Sequence, residues 1–169
     1  MPDMPGVDNG AGFTLRVATD ADVPTITALL KEAFAEQATL APPSGALSET
    51  DEKVREVMRA AGVLLAVADG TVVGCVFHET EGGALYLFRL AVLPAYRRRG
   101  IARALLDAGE EIAGLRGIAR TRLGVRLALP VQRAWYERRG YRVVSFHAHP
   151  GFTAPTSAVL EKDLAVSDG

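Results

Sequence analysis

Cysteine occurs once in this 169-residue chain, at Cys75. No internal disulfide can form, and a reducing compartment is the expected setting. Aromatic residues make up 7% of the chain and the net charge is −1. A nucleic-acid binder is expected to show a basic, aromatic-studded face, and this balance disfavours one. No apolar run approaches the ~18 residues that cross a membrane. The opening "MPDMPGVDNGAG" has neither the basic nor the apolar region of a signal peptide. Lysine is scarce as well: sixteen of the nineteen basic residues are arginine, which fits codon bias and carries no function. A cytoplasmic protein with no nucleic-acid or membrane partner is the expectation.

Hydrophobic residues amount to 49% and charged residues to 23%, enough for one domain with a core and too little chain for two. Residues 1–12 read as a disordered arm, and 13–169 as a single domain. "FTLRVAT" (13–19) alternates like a strand, and "DADVPTITALLKEAFAEQ" reads as a helix with Asp20 or Asp22 as cap and Pro24 in its first turn. After the breaker-rich "TLAPPSGAL", the "SETD" stretch offers a capping box from Ser48 to Asp51 and predicts a second helix ending near Gly62. Three strands follow (63–69, 71–80 and 84–93), with "ADGT" and "EGG" short enough for hairpin turns. A helix after Gly100, a strand over 120–129, a helix from Pro130 to Gly140 and two closing strands complete the chain. The order is β-α-α-β-β-β-α-β-α-β-β. It predicts an α/β fold, a three-layer α/β/α sandwich around a mixed, mostly antiparallel sheet.

Chemistry concentrates in "AYRRRGIARALL" (95–106). Pro94 ends a strand, and a helix begins after Gly100. The first amides of a helix lack internal partners and sit at the positive end of its dipole. With little side chain at Gly100 and Ala102, an anion can lie against those amides while an arginine grips its oxygens. The pattern lacks the second glycine and Gly-Lys-Ser/Thr of a Walker loop. From this stretch alone, a single phosphate or diphosphate and a solvated basic helix start remain alternatives.

"LYLFRLAVLPAYRRRGIARALL" resembles the acetyl-coenzyme A signature of the GNAT superfamily of N-acetyltransferases. The matching pattern is Arg/Gln-x-x-Gly-x-Gly/Ala, here Arg97, Arg98, Arg99, Gly100, Ile101 and Ala102. "LRVATDADVPTITALLKEAF" resembles the first strand and helix of that family, and "WYERRGYR" its C-terminal element. The resemblance implies acetyl-CoA as acetyl donor and the primary amine of a small molecule or peptide as acceptor, with transfer by direct attack through a tetrahedral intermediate. It also implies a bulged strand whose main-chain groups at Leu90, Ala91 and Val92 pair with the pantetheine arm. Arg97 would be the main diphosphate clamp, with Arg98 and Arg99 supplying an attractive field. Tyr136 would be the general acid and the Val92 amide the oxyanion donor.

Two positions depart from the family pattern. Tyr86 stands where many relatives carry a strand glutamate, so the base is unassigned among Glu79, His78, His147, His149 and a water chain to solvent. Gln132 is the one amide in a segment where relatives commonly place asparagine near the cofactor. The pair His147 and His149 suggests a metal only weakly, with no Cys or carboxylate ligand close by in sequence, and no metal is expected. A silent acyl-CoA sensor is the alternative function, and a homodimer, common among relatives, stays open.

Overall fold

Positive backbone φ marks two tight turns of this sheet. A computed structural model of the chain describes residues 12–165; the expected arm lies outside them apart from Gly12, as do the last residues of the expected domain. The elements are β1 (Thr14–Val17), α1 (Val23–Ala33), α2 (Asp51–Val57), β2 (Gly62–Ala68), β3 (Thr71–Glu81), β4 (Ala84–Val92), α3 (Ile101–Leu115), β5 (Arg120–Arg126), α4 (Pro130–Glu137), β6 (Arg142–His147) and β7 (Ser157–Asp163). Asp69 and Gly70 (φ 51° and 75°) turn β2 into β3, and Gly82 and Gly83 (φ 52° and 76°) turn β3 into β4. Two left-handed residues in a two-residue loop match the twist of the strands they join. The strands form a mixed sheet in the order β1-β2-β3-β4-β5-β7-β6. β4 and β5 run parallel, while β1–β2, β2–β3, β5–β7 and β6–β7 run antiparallel. This is the α/β class and the element order read from periodicity.

The contacts divide the described residues into two compact units, one reaching to Glu79 and taking in Arg89–Gly109, the other made of Thr80–Phe88 and the chain from Glu110 onward. In the first unit, β3 is buried without a break from Val73 to His78. Successive strand side chains point to opposite faces, so both faces of β3 are covered. Ile26 and Leu30 of α1 and Ile101, Leu105 and Leu106 of α3 are fully buried in this unit. Gly74 lets α3 approach: a Cβ there would stand 3.0 Å from the Ala91 carbonyl and 3.2 Å from Ile101 and Leu105.

The expected helix over 20–37 is trimmed at both ends into 3-10 turns, at Asp20–Asp22 and Ala35–Thr39. Asp22 precedes α1, but its carboxylate is used on β1. It accepts two 2.8 Å hydrogen bonds from the Arg16 guanidinium and one from the Thr19 amide. These charge-assisted bonds hold its pKa down at about 2. A carboxylate depressed in the folded state stabilises above its unfolded pKa of about 3.9 and loses that contribution as pH falls toward 2. Urea midpoints of the wild type should therefore decline from pH 4 to pH 2, and Asp22→Asn should flatten the part of this decline that Asp22 causes.

The second helix starts later than predicted. Thr50, with extended φ and ψ, is its cap and accepts from the Lys53 amide at 3.2 Å. Ser48 instead ends a 3-10 turn over Gly45–Ser48 that Ser44 caps. Both serine and threonine suit a cap, and the preceding turn decided between them.

In the second unit, β4 is paired with β5 at Leu85↔Thr121 and Tyr86↔Arg122. Along β5, Thr121, Leu123 and Val125 are buried in alternation, and Ala158 and Leu160 of β7 join them in the core. The buried Thr121 hydroxyl meets the Tyr141 hydroxyl at 2.9 Å. Arg122 pairs with Glu161 at 2.8 Å across the β5–β7 ladder.

Candidate active site

Between β4 and α3 the chain makes one 3-10 turn at Pro94–Tyr96 and then changes hand twice. Arg98 (φ 63°) and Gly100 (φ 81°) are both left-handed. Alternating hand turns successive amides toward one side, the arrangement that forms anion-binding concavities. Ala104 is the first residue of α3 whose amide finds a main-chain acceptor, the Gly100 carbonyl at 3.0 Å. Among the described residues, the amides from Arg98 to Arg103 have none. The 15-residue α3 places its dipole behind them. A Cβ at Gly100 would meet nothing within 4 Å, so glycine is needed there for its backbone conformation rather than for room inside the protein.

The three arginines diverge. Arg97 turns inward: Nε donates to the Val92 carbonyl (3.2 Å), Nη2 to the Ala33 carbonyl at the end of α1 (2.9 Å), and Nη1 to Glu36 (2.6 Å). The resemblance made this residue the main diphosphate clamp; here its guanidinium bonds to β4, to the end of α1 and to the turn after α1. Arg99 lies over the Tyr96 ring, 5.0 Å from its centroid. Arg98 is exposed. The three side chains therefore have different surroundings, though all three are exposed.

At the end of β4 the strand is irregular. Arg89 adopts φ 50° within β4, and Ala91 and Val92 beyond it are both buried, out of the alternation of a regular strand. The ladder to β5 stops at Tyr86. The Leu93 amide is used by the Val73 carbonyl at 2.9 Å, which anchors the end of the strand. The resemblance implied a bulge in this strand near Leu90–Val92; the left-handed residue observed is Arg89, one position earlier.

Tyr136 sits on α4 in the second unit, 5% exposed. Its ring packs edge-on against Trp135 and Tyr141. Burial raises the pKa of its phenol, so the proton stays on at neutral pH. Among the described residues no group takes its hydroxyl. Gln132, one turn earlier, is half-buried.

The candidate bases are scattered. His78 is 3% exposed and packs so tightly on Gly62 that a Cβ there would lie 2.2 Å from its ring. His147 ends β6 and shares a 2.9 Å hydrogen bond with Ser145. His149 lies beyond β6 and is bonded to Thr156, so the two histidines do not share a strand face. Among the described residues no three His, Cys, Asp or Glu side chains group as metal ligands, and no helix is long and apolar enough to cross a membrane. Cys75 is buried, and desolvation pushes its thiol up to about 12, which leaves it unreactive.

A family model described as "Acetyltransferase (GNAT) family" matches residues 26–141, well over half of the chain. The chain belongs to the GNAT acetyltransferase family. This GNAT chain is 31% identical over 136 residues to the mycothiol acetyltransferase of Clavibacter michiganensis, covering 78% of itself and 43% of that protein. It is 33% identical over 95 residues to a probable N-acetyltransferase 14 of Danio rerio, covering 55% of itself and 34% of that protein. It thus spans less than half the length of these relatives. Its fold is that of the PaiA N-acetyltransferase of Thermoplasma acidophilum in complex with coenzyme A (TM-score 0.74, 22% identity, 89% of this chain and 98% of the other). The ribosomal-protein-S18-alanine N-acetyltransferase of Escherichia coli is equally similar in fold (TM-score 0.74, 19% identity, 90% and 94%).

Proposed function

We propose that this GNAT chain is an acetyl-CoA-dependent N-acetyltransferase acting on the primary amine of a small molecule or peptide. The observation that carries the reading is the run of amides from Arg98 to Arg103 that have no main-chain acceptor among the described residues, beside two left-handed residues at the start of α3. Family membership and the PaiA structure with coenzyme A support a diphosphate as the anion that this run holds. In this reading Gly100, Ile101 and Ala102 hold the diphosphate through their amides, and Arg98 and Arg99 draw it in. Arg97 fixes the loop. Leu90, Ala91 and Val92 pair with the arm through the main chain, and Gln132 adds an amide contact.

The acceptor must attack as a neutral amine, because its lone pair forms the new C–N bond. The Val92 amide donates to the carbonyl oxygen as negative charge builds there. As the C–S bond breaks, the sulfur takes a proton from Tyr136; the amine nitrogen gives its proton to solvent water, and the Tyr136 oxygen is reprotonated from solvent. Burial suits Tyr136 to this task, since it keeps the phenol protonated while leaving its hydroxyl without a protein partner.

The test is calorimetric titration with coenzyme A followed by thiol release from acetyl-CoA across a panel of amines. Binding with turnover on at least one amine is expected. Binding without turnover on any amine would favour a silent sensor, and no binding would remove the reading. Gly100→Ala checks the loop itself. The methyl group clashes with nothing in the protein, but alanine at φ 81° carries about 1 kcal/mol of backbone strain and stands in the path of the anion. Coenzyme A affinity should fall roughly tenfold or more while the thermal midpoint shifts by only about 2–4 °C.

A further inference from the structure

Arg89 is a charged residue in the apolar run "LYLFRLAVL", and its backbone is left-handed at φ 50°. Outside glycine such a conformation persists only where surrounding contacts over-determine it. Two contacts do so here. The Cys75 thiol donates to the Arg89 carbonyl at 3.4 Å, and Arg89 Nη2 donates to Glu49 Oε1 at 3.2 Å. The pair is sheltered, with the two side chains 29% and 14% exposed. Gly45 makes room for it, since a Cβ there would lie 3.2 Å from Arg89 Nη2. The connection that holds Glu49 is tied at its other end as well, where Glu36 meets Arg97. Residues 36–49 thus meet the stretch from Arg89 to Arg97 at both ends, through a sheltered pair at Arg89 and an exposed one at Arg97.

We propose that Arg89 and Glu49 are positioning residues: their ion pair holds residue 89 left-handed and so presents the main-chain groups of Leu90–Val92 to coenzyme A. This rests on the reading above, in which those groups pair with the pantetheine arm. The side chain of Arg89 acts on the backbone it belongs to, and neither partner touches the reacting atoms.

Glycine separates conformation from charge. Arg89→Ala loses the ion pair and keeps the steric penalty at positive φ, whereas Arg89→Gly loses the pair and the penalty together. Coenzyme A affinity of the wild type, Arg89→Ala, Arg89→Gly and Glu49→Gln would be measured by calorimetry beside their thermal midpoints. We expect Arg89→Ala to weaken binding about tenfold, Glu49→Gln about threefold, and Arg89→Gly to return to within about threefold of the wild type. Equal weakening in Arg89→Gly and Arg89→Ala would overturn the proposal, as would wild-type affinity in both. A normal coenzyme A affinity in Arg89→Gly with an acceptor KM raised tenfold would also overturn it, making Arg89 an acceptor-binding residue instead. Wild-type protein that fails to bind coenzyme A defeats the functional reading first, and the proposal with it.

Discussion

Replacing Tyr136 by phenylalanine should lower kcat about 100-fold or more while leaving coenzyme A affinity within about twofold of wild type. Phenylalanine keeps the ring and its edge contacts with Trp135 and Tyr141, so the core loses no volume. Only the hydroxyl goes, and among the described residues it has no protein partner. The thermal midpoint should hardly move at neutral pH. A tyrosine that merely fills the core would show the opposite pattern, with kcat unchanged. A pH series adds a second readout. The phenol's pKa is raised by burial above its unfolded value of about 10, so its neutral form is favoured in the folded state. Its contribution to stability is full below about pH 10 and is lost as pH rises through the window above, where the unfolded chain ionises first. Tyr136→Phe should remove that alkaline sensitivity. Activity should show no alkaline limb from this group below about pH 10.

Much of this was legible locally. The 3.6-residue spacing after Gly100 marked α3, and the Asp-Gly and Gly-Gly pairs marked two hairpins. The conformation of the loop before α3 was legible too, because its requirements are local: a strand end, a residue that accepts positive φ and a helix start. What escaped were pairings between distant residues. Arg97 meets Glu36 across 61 positions and Arg89 meets Glu49 across 40. No periodicity encodes such distances, and an arginine in a loop looks the same whether it faces a ligand or a helix end. One signal was available. Arg89 interrupts an otherwise apolar strand, and a charge withdrawn from water needs a partner. The choice of Thr50 over Ser48 as cap was lost for a related reason, since the sequence offers both and the folded turn at Gly45–Ser48 consumes one.

Removing the Arg97 side chain should cost stability and cofactor affinity together. Its guanidinium donates to two main-chain carbonyls and one carboxylate, on β4, α1 and the turn after α1. Ala33 ends α1, so its carbonyl is one that the helix leaves without a partner, and a cation there also meets the negative end of the dipole. The contact with Glu36 is worth little, because that carboxylate is 60% exposed. The two carbonyl bonds carry the effect, and with partial screening their loss amounts to about 1–3 kcal/mol. For a chain of this length that lowers the thermal midpoint by roughly 3–10 °C in Arg97→Ala. The same bonds hold the loop between Pro94 and Gly100 against α1, so coenzyme A affinity should fall about tenfold to 100-fold as the amides lose their common direction. Arg97→Lys then separates bracing from clamping. A clamp works through charge, and lysine would keep most of the affinity. A brace needs the planar fork, because an ammonium cannot reach three acceptors spread around a guanidinium. Affinity and thermal midpoint should therefore both stay near the alanine values in Arg97→Lys. Retained affinity with an unchanged midpoint would return Arg97 to the diphosphate.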